Sequence, residues 1–457
     1  MAEKKSREVA NSKGRRYAIF TVAAAAVVVI ASLVAYSQLR NTGSTTSATA
    51  STAASATTTS AANSSTTAAT TNTTSAVQAG FGAVPASFSP SSASFISNSD
   101  GFVLGGIPCN SSATKYCAVL AVTTNTGASW TANPLSGIPL TTRGFFASNT
   151  TAGTTSGAAE IRFANASVGY AFDPGLYVTS NGGASFSPVS VPGISGIGTT
   201  EAVTSLEIAN GNVTATVAPH QGPSPTTSGN AELISANIAV SPSSFSIVTA
   251  PAQLSYEAIY FQNSAGQLIT IPQAAAPSAY YAAPGSTAWQ GITPPCVSSH
   301  LGNGSIFAIG SLFATEASAP SDGIAMGCTL GVAAGSSQKE IDISSNTGAS
   351  WEVLPSPPLG GDMSAVAAGS ANNISVAAES GASFIYSTSN AGKTWTTFSF
   401  PNNPLGTGGV PIFDLGYTNP TQAFAILGWP GSAVSGQLQS SFYLTTNAGS
   451  TWTQIAF

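Results

Sequence analysis

The stretch Ser344-Ser345-Asn346-Thr347-Gly348-Ala349-Ser350-Trp351 decides the fold, because the same pattern occurs five times in the chain. It reads Ser or Thr, any residue, Asn, any residue, Gly, any residue, Ser or Thr, and then Trp or Phe. The defining residues are Asn125, Gly127 and Trp130; Asn181, Gly183 and Phe186; Asn346, Gly348 and Trp351; Asn390, Gly392 and Trp395; and Asn447, Gly449 and Trp452. Five such copies indicate a repeated structural unit.

The spacing of these copies predicts the number of units. Their Asn residues stand at 125, 181, 346, 390 and 447, so the intervals are 56, 165, 44 and 57 residues. The long interval is roughly three times the others, as a regular repeat with missing motifs would give. We therefore expect two units without the motif, near residues 203–247 and 258–292, and seven units in all.

Each unit reads as four short strands. In the second unit, strands are predicted at Glu160–Phe163, at 168–172 and at Leu176–Thr179, with a fourth after Phe186. No stretch after residue 80 shows a sustained helical apolar period. Seven units of four antiparallel strands predict an all-β, seven-bladed β-propeller over residues 81–457.

The motif is predicted to be the turn between the third and fourth strands. Asn tolerates left-handed backbone and its side chain bonds to nearby backbone groups, while Gly adopts a positive φ without steric cost. The terminal Trp or Phe is expected to be buried between neighbouring sheets, where truncation would cost about 3–5 kcal/mol.

The motif resembles the Asp-box, or BNR repeat, of sialidase-type propellers, with Asn in place of Asp in every copy. Segments such as Gly101-Phe102-Val103-Leu104-Gly105 resemble segments in the sequences of propellers of the photosystem II assembly-factor type. The resemblance implies that the boxes lie on the face away from the functional site. Sialidases share three arginines that bind the carboxylate of the substrate, so the resemblance would imply such a triad in an active sialidase. Only Arg143 and Arg162 follow the linker, so sialidase activity is not expected.

The N-terminal part of the chain predicts export to the cell surface. Residues 1–16 are basic, residues 17–39 contain an apolar run long enough to span a bilayer, and residues 40–80 are almost wholly Ser, Thr, Ala and Asn. We expect a cytoplasmic segment, a transmembrane signal anchor and a disordered stalk, in a single-pass plasma-membrane protein whose C-terminal domain is outside. A cleaved signal peptide is the alternative.

Charge and histidine content exclude several functions. From Asn41 onward five basic residues face fifteen acidic ones, which does not favour nucleic-acid binding. His220 and His300 are the only histidines and have no neighbouring ligand pattern, so neither a metal nor a cofactor is expected. Asp173, Asp322, Asp362 and Asp414 could form the carboxylate pair of a glycoside hydrolase, but each reads more simply as a turn residue.

The four cysteines are expected to form disulfides, because an exported chain meets oxidising conditions. They allow three connectivities. We favour Cys109–Cys117, across the hairpin between strands two and three of the first unit, and Cys296–Cys328 within the fifth unit.

The predicted function is binding or assembly scaffolding without catalysis, by a monomeric ectodomain that takes a protein or glycan partner at the propeller mouth. The candidate ligand-binding residues are Arg143, Tyr280, Tyr281, Trp289 and Trp429, since exposed aromatic residues stack on sugars or anchor protein partners. The simpler interpretation is that these aromatic residues pack between sheets. The alternative function is a surface glycoside hydrolase acting on a polysaccharide.

Overall fold

The computed structural model describes most of the chain after residue 80. The described residues are 81–109, 116–141, 157–219, 230–251, 254–255, 258–263, 266–271, 278–283, 286–295, 307–313, 323–333, 335–400, 410, 412–434 and 437–457. The predicted basic segment, anchor and stalk lie outside them. Within the described residues no helix is both long and apolar enough to cross a membrane.

In the part of the chain that the structure describes, thirty strands form seven antiparallel sheets. The first four sheets contain β1 (Gly82–Ala83), β2 (Ser89–Phe95), β3 (Gly101–Pro108), β4 (Tyr116–Thr123) and β5 (Thr131–Pro139); β6 (Glu160–Phe163), β7 (Gly169–Phe172), β8 (Leu176–Thr179) and β9 (Ser187–Pro188); β10 (Glu201–Ala209), β11 (Asn212–Pro219), β12 (Asn230–Asn237), β13 (Ser246–Val248) and β14 (Leu254–Ser255); and β15 (Ile259–Asn263), β16 (Gly266–Ile271), β17 (Ser278–Ala282) and β18 (Gln290–Ile292). The last three contain β19 (Phe307–Phe313), β20 (Gly323–Ala333), β21 (Ser336–Ser344) and β22 (Glu352–Leu354); β23 (Asp362–Ala368), β24 (Ile374–Glu379), β25 (Ser383–Thr388) and β26 (Thr396–Ser399); and β27 (Ile412–Tyr417), β28 (Ala423–Val434), β29 (Gln437–Thr445) and β30 (Thr453–Ile455).

The seven sheets are the blades of a β-propeller. Every blade is built from four strands that follow one another in the chain, with β1 added outside β5 and β14 paired with β12. The first strands of successive blades contact one another in a closed circuit that runs from β2 through β6, β10, β15, β19, β23 and β27 back to β2. The predicted all-β, seven-bladed architecture is confirmed. So are the two units without the motif, which are blades 3 and 4.

The core is a series of apolar seams between blades. Between blades 2 and 3, for example, Tyr170 and Phe172 pack with Val203, Leu206 and Val217. The strands alternate buried apolar side chains toward both neighbouring blades, because each sheet is covered on both faces.

The ring closes at the seam between blades 7 and 1, and none of the described strands is shared by these two blades. Phe95 of β2 stacks on Phe424 and Phe442 of blade 7, with ring centroids 5.9 and 6.2 Å apart. Polar contacts cross the same seam: Ser440 N donates to Ser89 Oγ over 3.1 Å. Side-chain packing therefore replaces strand exchange as the closure.

One hydrogen-bond pattern recurs in all five boxes. In the box that ends at Trp351, Ser344 Oγ and Ser350 N both donate to Asn346 Oδ1 over 2.9 Å. Asn346 Nδ2 donates to Ser350 Oγ over 2.8 Å, and Gly348 N donates to Ser344 Oγ over 2.8 Å. The other four boxes repeat these bonds.

Two expectations about the box need correction. The residue with left-handed backbone is not the Asn but the one after it, as at Thr347 (φ 59°), followed by the Gly. The Asn side chain accepts hydrogen bonds from residues on both sides of it in the box. The positive φ angles that reverse the chain therefore fall on the next two residues. The box aromatic residues, except Trp452, are only half-buried. The indoles of Trp351 and Trp395 reach the edge of the preceding blade, where their Nε1 atoms donate to backbone carbonyls, whereas Trp130 Nε1 donates to Gly127 O within its own box.

A disulfide joins Cys109 to Cys117, with Cα atoms 5.2 Å apart, between the end of β3 and β4. Cys328 is also disulfide-bonded, and no described cysteine is free. Cys296 lies outside the described residues.

Candidate functional site

Side chains of one blade bond to the inner strand of the next. The inner edge of a propeller blade has no strand partner, so its N–H groups need other acceptors. Among the described residues, bonds of this kind between neighbouring blades include Ala93 N to Asp414 Oδ2 (3.1 Å), Ile161 N to Ser92 Oγ (3.3 Å), Phe163 N to Ser94 Oγ (2.9 Å), Tyr260 N to Ser205 Oγ (3.1 Å) and Ile412 N to Glu379 Oε1 (3.2 Å). These side chains thereby hold the ring together from within.

Arg162 of β6 lies at the centre of a charged group on the inner strands, which we call the Arg162 cluster: Glu160, Arg162, Glu207 and Asp414. Its Nε is 3.4 Å from Glu207 Oε1, and its Nη2 is 3.6 Å from Glu160 Oε2. The guanidinium also donates to Ile161 O over 2.8 Å. The cluster spans blades 2, 3 and 7, and 21% of the Arg162 side chain stays exposed.

Burial and charge act against each other in this cluster. Burial lowers the pKa of Arg162, but the carboxylates of Glu207, Asp414 and Glu160 outweigh burial, so its pKa lies above the ordinary value. Burial raises the pKa of Glu207 to about 7, although Arg162 opposes that shift. Arg162 is therefore a fixed cation, and Glu207 can change its protonation near neutral pH.

The predicted ligand-binding residues whose side chains the structure describes are divided between two seams. Tyr281 is buried in the seam between blades 4 and 5, whereas Tyr280 and Trp289 pack against the seam between blades 3 and 4. Trp429 lies on β28, opposite Gln439. Arg143 lies outside the described residues. The tyrosines separate because neighbouring strand residues point to opposite faces of a sheet.

The carboxylates expected in turns need correction at two positions. Asp414 lies within β27, where its Oδ2 accepts bonds from Ala93 N and Ser92 Oγ, and Asp362 begins β23. Asp173 does lie in a turn, before Pro174. Asp322 lies outside the described residues. Asp414 and Asp362 lie on inner strands, and the residues next to them in the sequence did not indicate this position.

Cys328, Glu340 and Asp342 form a buried group in blade 5, and their sulfur and carboxylate oxygens lie within 4.8 Å of one another. A metal would need Cys328 as a thiolate. Because Cys328 is disulfide-bonded, only two carboxylates remain, fewer than the three or more protein ligands usual for zinc. This group does not fit a resident metal centre.

A groove of about 170 Å³ lies beside the ring closure. It is lined by Pro85, Phe88, Ser440, Phe442 and Phe457. Pockets for small molecules usually measure roughly 300–1,000 Å³. The groove is therefore too small to be a substrate cleft.

Sequence reasoning missed the Arg162 cluster. Arg162 was visible as one of two arginines after the linker, and it stands inside the predicted strand Glu160–Phe163. An arginine two residues from a glutamate in an inner strand could have indicated a buried ion pair. Glu207 and Asp414 could not be assigned to it, since they come from other blades.

Comparison with known proteins yields structural likeness only. Neither a protein-family profile nor a curated protein sequence matches the chain. The structure of YCF48 bound to D1 peptide aligns with a TM-score of 0.45 and 16% identity, over 80% of this chain and 99% of that one. YCF48 from Cyanidioschyzon merolae gives 0.43 and 12%, over 66% and 85%. The β-propeller domain of the trilobed protease from Pyrococcus furiosus gives 0.42 and 8%, over 81% and 98%.

Proposed function

We propose that this chain is a membrane-anchored, extracytoplasmic propeller that binds a protein partner or supports an assembly without catalysis. The observation that carries the proposal is that the inner-strand carboxylates of the Arg162 cluster serve the ring. Asp414 bonds to β2 of the next blade, and Glu160 and Glu207 pair with Arg162. Asp414 and Glu207 make contacts between blades, and such carboxylates are poorly suited to acid–base catalysis, because protonation would remove the charge on which these contacts depend.

The partner is proposed to bind on the face opposite the boxes. In blades 1, 2, 6 and 7, whose first turns the structure describes, the box lies beside the first turn of its own blade; Gly182 N, for example, donates to Ser167 O over 2.7 Å. At the opposite end of the blades, long intervals between consecutive strands separate Pro139 from Glu160, Pro219 from Asn230, Ile292 from Phe307 and Ser399 from Ile412. Long connections on a rigid scaffold commonly carry binding residues. The Asp-box resemblance favours the same face.

Site-directed photo-crosslinking distinguishes the two faces. Ala382 and Lys393 are both exposed and lie in turns at opposite ends of β25. Lys393 is on the face that carries the boxes, and Ala382 is on the opposite face. We expect a crosslinker at Ala382 to capture a defined cell-surface protein, and one at Lys393 to capture none. Equal capture from both positions would contradict binding on the face opposite the boxes.

The proposed orientation rests on residues 17–39 and on the basic segment before them. The Cys109–Cys117 disulfide supports an oxidising compartment. Protease added to intact cells should remove the chain after Arg40 while leaving the N-terminal segment inside. Complete protection of the propeller would contradict an external domain.

One observation favours the alternative, a glycoside hydrolase. Glu207 has a pKa raised to about 7 and lies near Glu160 and Asp414, as a general acid beside a second carboxylate would. If the chain releases sugar from a cell-wall polysaccharide, Glu207→Gln should abolish that release. Glu352→Gln removes an exposed carboxylate from β22 and serves as the control. Release by the wild type that survives Glu207→Gln would exclude Glu207 as the acid.

A further inference from the structure

Glu340 and Asp342 both point into the seam between blades 4 and 5. In β21, Lys339, Ile341 and Ile343 occupy one side and the two carboxylates the other. Asp342 pairs with Met326 of β20, and Glu340 pairs with Cys328. Met326 packs with Leu268, Tyr281, Ile292 and Ile324 in one apolar cluster. The carboxylates therefore share their side of β21 with an apolar seam.

The two carboxylates are buried and lack a described cation. Asp342 is 0% exposed and Glu340 8%, and Asp342 Oδ1 makes no hydrogen bond. The described basic residues are Arg162, Lys339 and Lys393. Lys339 lies on the other side of β21, with its ammonium bonded to backbone carbonyls.

The remaining groups facing this pair do not balance its charge. On β20, Cys328 Sγ lies 3.6 Å from Asp342 Oδ2, but this sulfur is disulfide-bonded and does not titrate. On blade 4, Tyr281 contributes a phenol, which carries no charge between acidic and neutral pH. On β22, Val353 is the partner of Asp342.

Two adjacent carboxylates in an apolar seam cannot both ionise without a large cost in desolvation and repulsion. We infer that Glu340 and Asp342 share one proton, and that this proton stabilises the seam between blades 4 and 5. Loss of the proton would place two like charges inside the seam and loosen it. The pair is thus an internal pH sensor that favours the closed propeller in acidic surroundings.

The electrostatics agree with this geometry. Burial, followed by the charge and hydrogen bond of Glu340, raises the pKa of Asp342 to about 7. A carboxyl whose pKa is higher in the folded state binds more protons there than in the unfolded chain. Its contribution to stability is therefore present at low pH and is lost as the pH rises through about 7.

The test measures the melting temperature of the full chain from about pH 5 to about pH 8. Glu207 binds a proton in the same range, so every protein compared carries Glu207→Gln. We call the Glu207→Gln protein the parent and expect its melting temperature to fall by several degrees over this pH interval. The melting temperature of Asp342→Asn should fall far less, because an amide keeps the hydrogen bond to Glu340 and has no proton to lose. Glu352→Gln, an exposed change in the same blade, should behave like its parent.

Infrared spectroscopy observes the proton directly and does not depend on stability. At about pH 6, where ordinary carboxyls are ionised, the parent should show a protonated-carboxyl C=O band that Asp342→Asn lacks. If Asp342→Asn does not fold, Glu340→Gln provides the same comparison, and the parent's band can be titrated alone.

Two results would overturn the inference. The first is the absence of a protonated-carboxyl band from the parent above about pH 5, which would mean that both groups ionise normally. The second is a melting temperature that falls with a chelator and recovers with added zinc or calcium in the parent but not in Asp342→Asn. That pattern would show that the pair binds a metal ion instead of a proton.

Discussion

At the scale of single residues, the box Asn combines an acceptor and a donor in one neutral side chain. In the fourth box, Asn390 Oδ1 accepts from Thr388 Oγ1 and Thr394 N, and its Nδ2 donates to Thr394 Oγ1. An Asp could accept the first two bonds but could not donate the third. The Asn boxes therefore close their turns without a titratable group.

Asn390→Ala should destabilise the propeller by roughly 1–3 kcal/mol, because buried or partly buried groups lose their partners. Asn390→Asp should be nearly neutral at pH 7, since the Thr394 hydroxyl can rotate and donate to the carboxylate. Hydrogen bonding would depress the pKa of this new Asp, so its stabilisation would be lost as the pH falls through the folded-state pKa. Thermal melts at pH 7 and in acid test both statements.

The control for these variants is Asn372→Ala, an exposed change in the same blade. It should leave the melting temperature unchanged. If Asn390→Asp melts at the wild-type temperature in strong acid as well, the box does not gain stability from an ionised Asp, and the advantage assigned to Asn is wrong.

The cost of removing Arg162 is predicted to depend on pH, because its partner Glu207 changes protonation near neutral pH. Arg162→Met would leave buried carboxylates without their cation, at a cost of roughly 3–5 kcal/mol. The loss should be greater at pH 8 than at pH 5, because Glu207, with its pKa of about 7, is protonated at the lower pH. Denaturant titrations at both pH values measure this. Adding Glu207→Gln should recover part of the loss at pH 8, and an unchanged loss would argue against the pairing.

At the scale of elements, Lys339 fastens the connection between blades 5 and 6. Its ammonium, wholly buried, donates to the carbonyls of Pro358, Leu359 and Gly360 over 3.2, 2.8 and 3.0 Å. Burial lowers the pKa of Lys339 to about 8, despite the charge of Asp362. One side chain of β21 thereby holds the segment that leads into β23.

Lys339→Met should release this segment, because methionine has similar length but donates no hydrogen bond. We expect faster hydrogen exchange at Leu359–Gly361 and a fall of at least about 2 kcal/mol in stability, as several buried carbonyls lose their partner. Lys393→Met, at an exposed position, should change neither. Unaltered exchange in Lys339→Met would show that the segment is held by other contacts.

The comparison of sequence with structure depends on how local each feature is. The strands Glu160–Phe163 and Leu176–Thr179 were predicted at their observed bounds, because alternation and turn residues report local structure. The Arg162 cluster was not predicted, since its residues come from three blades and meet only when the ring forms. Tyr280 and Tyr281 were grouped together because they are adjacent in sequence, yet they face different seams.

At the scale of the whole molecule, six seams join blades that are linked by the chain, and the seventh does not. Among the described residues, every hydrogen bond or ring contact between blade 7 and blade 1 involves a side chain, and Phe442 of blade 7 packs against Phe95 and Trp130 of blade 1 at centroid distances of 6.2 and 6.0 Å. The polar contacts of Asp414 reinforce this seam. Opening of the ring should therefore begin here, as the least constrained interface.

Phe442→Ala tests this expectation against Phe245→Ala, a matched loss in the seam between blades 2 and 3. Both phenylalanines are almost fully buried, and each truncation should cost about 3–5 kcal/mol. Only Phe442→Ala should accelerate hydrogen exchange in β2 and β29 well below the melting temperature. It should also enlarge the radius of gyration in solution scattering. Both effects are expected because blades 7 and 1 can separate without breaking the pairing of any strand. The same response from Phe245→Ala would show that all seams open alike, and that the missing strand exchange does not make the closure a weak point.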